Sequence, residues 1–241
     1  MDVLLEDDDL LVINKPAGVL TIPGRQGGES IREVLERETG RPQDFRLVHR
    51  LDRDTSGVLV LAKTVDAQRV LSDQFFHRKV EKQYLAIVRG NPEDDSGIIH
   101  APIAPDPRQL GRMMISDEDG KPAQTRWRVI ERFQIAALVR CWPLTGRQHQ
   151  IRVHLKLMGM PLLVDPLYGD ANAFYLSQAK TDYHPSKRHD ERPLIGRLTL
   201  HAESIGFAHP KTTQPIRIEA PLPKDFRATL TQLRKLSVPR E

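Results

Sequence analysis

The sequence predicts an α+β protein organised around a largely antiparallel sheet, and three features predict it. Short apolar runs suited to strands recur along the chain, among them Leu10–Ile13, Val58–Ala62, Leu85–Val88 and Ala137–Cys141. Isolated amphipathic helices, two of them with start signals at Ser30 and Thr145, interrupt those runs. The links between neighbouring strand patterns are short and polar, the length of hairpins rather than of βαβ crossovers.

In order, Leu10–Ile13 reads as a strand entering a turn at Asn14-Lys15-Pro16-Ala17-Gly18. Ser30 and Glu33 form a capping box, and Ile31, Val34 and Leu35 share the face of the helix that follows, with Gly40 and Pro42 as its stop. Residues 47–62 read as strand, tight polar turn, strand. Thr64 to Lys79 is a second amphipathic helix, its basic end at His77, Arg78 and Lys79 suiting the negative pole of the helix dipole. Lys82–Val88 is a strand. Residues 91–121 read as loop, because Pro92, Pro102, Pro105 and Pro107 interrupt them. Trp127, Val129 and then Ile135, Ala137, Val139 and Cys141 alternate as a hairpin. Thr145 and Gln148 fit a capping box for a helix carrying Ile151, Leu155 and Met158, which places Arg147 in its first turn, where the dipole disfavours a cation. An anion is expected to compensate it. Residues 170–193 are polar, basic and aperiodic, with Lys180, His184, Lys187, Arg188, His189 and Arg192. A mobile insertion and an added RNA contact are both open for them. Short strands around Leu198–Leu200, Ile205–Ala208 and Ile216–Ile218 precede a closing helix with Phe226, Leu230 and Leu233 on one face.

The 241 residues suffice for one large domain or two small ones with a sizeable core. A single cysteine, Cys141, precludes an intrachain disulfide, so a reducing, cytoplasmic setting is expected. The start of the chain is acidic (Asp2, Glu6, Asp7, Asp8, Asp9), and no apolar run reaches the ~18 residues of a membrane span. The formal net charge is only +4, so an anionic partner would require the basic residues to be gathered on one face. His49, His100, His149, His154 and His201 raise the question of a metal, but His149 and His154 stand five apart, about 140° around a helix, and cannot chelate as an i, i+4 pair does. Neither a metal nor a cofactor is expected.

Asp52 lies in the bend of residues 47–62, between His49-Arg50 and Arg53, a cationic setting that keeps a carboxylate ionised and aimed. Two readings compete: a catalytic carboxylate, or an Asx-turn closed by Asp52 or Asp54 with backbone freedom from Gly57. Tyr84, too, reads either as a sheet residue or as a stacking platform for a base taken out of its stack.

His49-Arg50-Leu51-Asp52 followed by Thr55-Ser56-Gly57 resembles the signature of the RluA-type family of RNA pseudouridine synthases. Asn-Lys-Pro-Ala-Gly at 14–18, Glu81-Lys82-Gln83-Tyr84, Gly-Lys-Pro-Ala-Gln-Thr at 120–125 and Gly146-Arg147-Gln148-His149-Gln150-Ile151-Arg152-Val153-His154 resemble further motifs of that family. The likeness runs from Asp9 to Pro221 apart from the insertion. It implies one catalytic domain over residues 1–241, a long mixed sheet flanked by helices, and a catalytic cleft across its middle. Asp52 is then the catalytic residue, Arg147 its ion-pair partner, Tyr84 the ring stacked on the target base, and Arg50 a residue that keeps the flipped nucleotide out of its helix. RNA contacts are expected from His49, Arg50, Arg108, Arg112 and Arg152.

The reaction implied is isomerisation of uridine to its carbon-linked form in ribosomal or transfer RNA, by a monomer, with no membrane partner. Many relatives carry a small RNA-binding domain ahead of the catalytic one, and its absence here would leave substrate selection to the catalytic domain's own loops. The rivals are an RNA-binding or RNA-folding protein that has lost the chemistry, and a nucleoside hydrolase that releases uracil.

Overall fold

A computed structural model describes residues 1–23, 27–40, 44–180, 183 and 190–237. In chain order its elements are β1 (Asp2–Glu6), β2 (Leu10–Lys15), α1 (Ile31–Thr39), β3 (Arg46–Leu47), β4 (Ser56–Ala62), α2 (Val65–Phe76), β5 (Glu81–Arg89), β6 (Ser96–His100), β7 (Ile103–Pro105), β8 (Met113–Ile115), β9 (Gln124–Arg132), β10 (Ala136–Pro143), α3 (Gln150–Leu157), β11 (Leu200–Ala208), β12 (Pro215–Glu219) and α4 (Lys224–Ser237). The class is the expected one, α+β with mixed, largely antiparallel pairing. Two compact units result, Met1–Tyr84 with His201–Pro221, and Leu85–Leu200 with Leu222–Glu241.

In the first unit the strands run β1-β2-β4-β11, with β3 beside β4 and β12 beside β11. Only β4 and β11 are parallel, at His201↔Ser56 and Ala202↔Gly57. The uninterrupted apolar run of β4 has a simple cause: both of its faces are covered. Val58, Val60 and Ala62 face Ala67 and Leu71 of α2, while Leu59 and Leu61 face Ile31 and Leu35 of α1. Leu10 and Val12 of β2 join the first group, and Leu11 and Ile13 the second. The two helices start where the sequence says they should. Glu33 accepts from both the amide and the hydroxyl of Ser30 at 2.6 and 2.8 Å, Gly40 closes α1 at φ 65°, and Thr64 accepts the Ala67 amide at 3.1 Å. Pro42 lies outside the described residues. Gly57 is required by close approach: at its φ of 116° a Cβ would sit 2.1 Å from the carbonyl oxygen of Ala202.

In the second unit the order is β5-β10-β9-β6, with β7 and β8 as a separate pair. Residues Phe226, Leu230 and Leu233 of α4 pack on Leu85, Ile87, Ala136 and Leu138, so the closing helix docks on the sheet as its periodicity implies.

Several elements differ from expectation. The exposed β1 was not legible, because Asp2 and Glu6 break its apolar pattern. The stretch before Asp52 is not a strand: β3 ends at Leu47, and eight irregular residues replace the tight turn. Residues 91–121 hold three short strands, of which β6 lies at a sheet edge and exposes alternate residues. Leu200 and Ile205–Ala208 belong to one strand rather than two. Within the polar segment 170–193, Phe174 is buried and bridges Ile195, so this part is anchored in the core. His184, Lys187, Arg188 and His189 lie outside the described residues.

Candidate active site

In the first unit, the backbone of residues 51–53 is pinned by several hydrogen bonds. The Thr21 hydroxyl donates to the Leu51 carbonyl at 2.9 Å and accepts the Leu51 amide at 3.2 Å, satisfying both polar groups of the residue before Asp52. The Asp52 carbonyl then accepts the Thr55 amide at 3.2 Å, closing a four-residue turn. The Arg53 carbonyl accepts from the Gly18 amide at 2.9 Å and from the ammonium of Lys15 at 2.8 Å. That ammonium also donates to the carbonyls of Pro16 and Val19 at 2.8 and 2.7 Å. Lys15 is wholly buried, and burial draws its pKa from 10.5 down to about 7, against the opposing pull of the Asp54 and Asp52 carboxylates. A half-buried Asp52 side chain therefore stands on a loop whose main chain is pinned from below by residues 15–21.

Tyr84 is half-buried at the end of the first unit's β5 segment, packed against the cluster that includes Leu51 and Leu59. Burial raises its phenol pKa, and the Asp52 carboxylate raises it further, so the two groups are within electrostatic reach of each other and the ring stays neutral. Arg50 is exposed. His49, expected to contact RNA, has an interior task instead. Its Nε2 accepts the Val60 amide at 2.9 Å and its ring stacks on Phe75 at 4.7 Å. Burial, with Lys82 nearby, lowers its pKa to about 3, consistent with a neutral ring carrying its proton on Nδ1.

The second unit contains Arg147, Arg108, Arg112 and Arg152. Helix α3 begins at Gln150, so Arg147 precedes the helix and no dipole penalty falls on it. The expected Thr145–Gln148 box is replaced by a longer-range lock. Thr145 accepts the Gln124 amide at 3.0 Å and donates to Gln150 Oε1 at 2.7 Å, while Gln150 Nε2 donates to the Gln124 carbonyl at 2.8 Å. The same Oε1 accepts the Arg147 amide at 3.0 Å, and Arg147 Nε donates to the Pro122 carbonyl at 3.1 Å. These contacts fix the arginine's backbone and the direction of its guanidinium.

Arg152, expected at the RNA, is an interior residue. It is 7% exposed and forks onto Asp165 with Nε and Nη2 at 2.8 and 2.7 Å, stacked over Tyr168. The Tyr168 hydroxyl accepts the Met113 amide at 2.7 Å and lies in hydrogen-bond contact, 2.8 Å, with His149 Nδ1. This ties α3 to β8. Arg108 is exposed, and Arg112 is half-buried against Gln109, 3.7 Å from Asp106. Two further histidines are structural: His154 bridges Thr125 and the Ala101 carbonyl at 2.9 Å each, and His201 bridges Ser56 and the Ala220 carbonyl, while His100 is exposed.

Among the described residues, Asp7, Asp9 and His209 form a group whose ligand atoms lie within 4.8 Å of one another. Asp7 already accepts the amides of Asp9 and Leu10, and His209 Nδ1 accepts those of Lys211 and Thr212. Lys15, Thr21 and Gln150 were invisible as site residues, because their partners lie 38, 30 and 26 positions away.

The family model described as RNA pseudouridylate synthase matches residues 9–157, a span that includes Asp52, Tyr84 and Arg147. Over 234 residues the chain is 39% identical to the ribosomal large subunit pseudouridine synthase C of Escherichia coli K12, covering 96% of this chain and 70% of that one. It is 40% identical over 240 residues to the ribosomal large subunit pseudouridine synthase D of Nitrosomonas europaea, covering 98% and 66%. Among solved structures, human RNA pseudouridylate synthase domain containing 4 aligns with a TM-score of 0.70 at 26% identity, over 96% of this chain and 92% of that one. Human RNA pseudouridylate synthase domain containing 1 aligns at 0.71 and 27%, over 92% and 83%. The family model and the named relatives place the chain among the isomerases that act on RNA. The chain belongs to the RNA pseudouridylate synthase family.

Proposed function

We propose that the protein converts uridines of large-subunit ribosomal RNA to pseudouridine, with Asp52 as the reacting carboxylate. The observation that carries the proposal is the backbone clamp on residues 51–53, which holds one carboxylate on an otherwise irregular loop within electrostatic reach of a neutral tyrosine ring. The printed names of the bacterial relatives support ribosomal RNA as the substrate. In the reaction the bond from the ribose anomeric carbon to N1 breaks, the base turns while held, and a bond from the same carbon to C5 forms. The C5 proton is lost to solvent and N1 takes one up. A carboxylate beside the sugar serves by stabilising cationic character at the anomeric carbon, by attacking it, or by removing a ribose proton.

Tyr84 holds the detached ring by stacking, Arg147 serves as the ionic partner that orients Asp52, and Arg50, Arg108 and Arg112 hold the RNA around the flipped nucleotide. Residues 1–241 act as one catalytic domain, as a monomer in the cytoplasm. Among the described residues no helix is long and apolar enough to cross a membrane. His49 and Arg152 support the site from the interior and are not part of the RNA contact.

The test is tritium release from RNA carrying C5-labelled uridine. Active protein releases label and Asp52→Ala releases none. Free uracil among the products would indicate a hydrolase, and RNA binding without release a non-catalytic protein.

A further inference from the structure

Helix α2 ends in a corner, residues 76–79, whose backbone is closed by two hydrogen bonds: the Arg78 amide donates to the Phe75 carbonyl at 3.2 Å and the Lys79 amide to the Gln74 carbonyl at 2.9 Å. That pattern places Arg78 at φ 56°, in the left-handed region that favours glycine, so an arginine there is strained where a glycine is not. Close by, Phe76 is 81% exposed, its ring set edge-on to His77 at 5.1 Å. Arg78 and Lys79 are exposed as well. The helix dipole accounts for cations at this end, but neither for the open phenyl ring nor for an arginine at a glycine position. The carboxylates nearest in sequence are engaged, Asp73 by His77 at 3.0 Å and Glu81 by Gln83 Nε2 at 2.9 Å. The corner adjoins the Asp52 loop. Phe75 stacks on His49 at 4.7 Å, and His49 precedes Arg50 and stands three residues from Asp52. Arg78 and His49 both lie within electrostatic reach of Lys82.

We propose that residues 76–79 form an RNA-binding corner beside the reacting nucleotide, with the Phe76 ring stacked on a base splayed out of the RNA and Arg78 and Lys79 on its phosphates. It rests on the reading that Asp52 reacts with ribosomal RNA, and it assigns a contact in the same unit, on the α2 side of the reacting loop. An exposed phenyl ring offers the flat face on which an unstacked base rests, whatever its identity. Two cations adjacent in the chain supply the phosphate contacts that hold such a nucleotide in place. Extruding the target uridine disturbs its neighbours in the stack, and a stacking surface close to the Asp52 loop offsets that cost.

The experiment measures binding of transcribed large-subunit ribosomal RNA across a KCl series for the wild type, Phe76→Ala, Phe76→Trp, Arg78→Gly and Arg78→Gly/Lys79→Gln. As a control of equal charge change to the double variant, Lys224→Gln/Lys235→Gln alters two exposed positions of α4. Phe76→Ala weakens binding about fivefold or more with an unchanged salt slope, and Phe76→Trp keeps the wild-type affinity. Arg78→Gly lowers the slope of log K against log salt by about 0.7–0.9, and the double variant lowers it by about 1.4–1.8. Because glycine suits φ 56°, Arg78→Gly melts no lower than the wild type, which separates a lost contact from a lost fold. Wild-type affinity in Phe76→Ala, an unchanged slope in the double variant, or an equal loss in the control overturns the proposal. So does a wild-type dimer that Phe76→Ala dissociates with RNA affinity intact, which would make the corner an interface between copies. Failure of the catalytic reading looks different, as wild-type protein that binds this RNA and forms no pseudouridine.

Discussion

Replacing Lys15 by methionine tests whether its buried ammonium holds the Asp52 loop. The backbone carbonyls of Pro16 and Val19 lose this donor and that of Arg53 keeps only the Gly18 amide, and each buried acceptor left unpaired costs about 1–3 kcal/mol. Against this, the wild type carries the cost of burying the charge. A pKa drawn from 10.5 to about 7 corresponds to roughly 5 kcal/mol across that whole range. The two effects oppose each other below pH 7 and separate above it. Between about 7 and 10.5 the unfolded chain binds the proton that the folded chain has released, so Lys15 makes wild-type stability rise with pH there. Methionine has no such dependence. Urea unfolding at about pH 6 and pH 9 should therefore show the stability difference between wild type and Lys15→Met growing by about 2–3 kcal/mol at the higher pH. The variant should also lose turnover at both pH values, as the Arg53 carbonyl is left with the Gly18 amide alone. A difference of the same size at both pH values would refute the assignment of a depressed lysine pKa, and full turnover in the variant would refute the clamp.

Three other substitutions report on separate parts of the fold. Gly57→Ala drives a Cβ to 2.1 Å from the Ala202 carbonyl oxygen and should destabilise by about 3 kcal/mol or more, read as a fall in the urea midpoint. Asp165→Ala leaves the guanidinium of Arg152 buried without its carboxylate and costs about 3–5 kcal/mol, whereas Asp165→Leu with Arg152→Met recovers most of the loss by calorimetry. Thr55→Val removes a buried hydroxyl that has no hydrogen-bond partner among the described residues, and its unfolding free energy should stay within about 0.5 kcal/mol of wild type.

The sequence makes local information legible and leaves assembled information hidden. Ser30 and Glu33 lie within one helical turn, and the structure has them as read. The β9–β10 hairpin was legible for the same reason, since its pattern and link are contiguous. Thr145 and Gln148 satisfy the same capping template but are not used, because Gln124 arrives from another strand and recruits Thr145 and Gln150. Arg152 was expected at the RNA from the motif it stands in, whereas its side chain is engaged by Asp165 and Tyr168. The Asp52 stretch stood out through its residue types. What holds it stood out in nothing, since a lysine beside proline gives no sign that it will be buried under carbonyls contributed by a distant turn.

The first unit is completed only when residues 201–221 return to it, which has a consequence during synthesis. Strand β4 takes its partner β2 from upstream, but the side that pairs with β11 must wait for residues made more than a hundred positions later. At ribosomal speeds of about 5–20 residues per second, that interval is on the order of 10 s. Throughout it the start of β4, at Ser56 and Gly57, stands without its partner on the nascent chain, a condition under which strands pair with wrong neighbours. Fragments that stop before residue 201 should carry that open edge permanently and aggregate, while the full-length chain closes it as the last strands leave the ribosome.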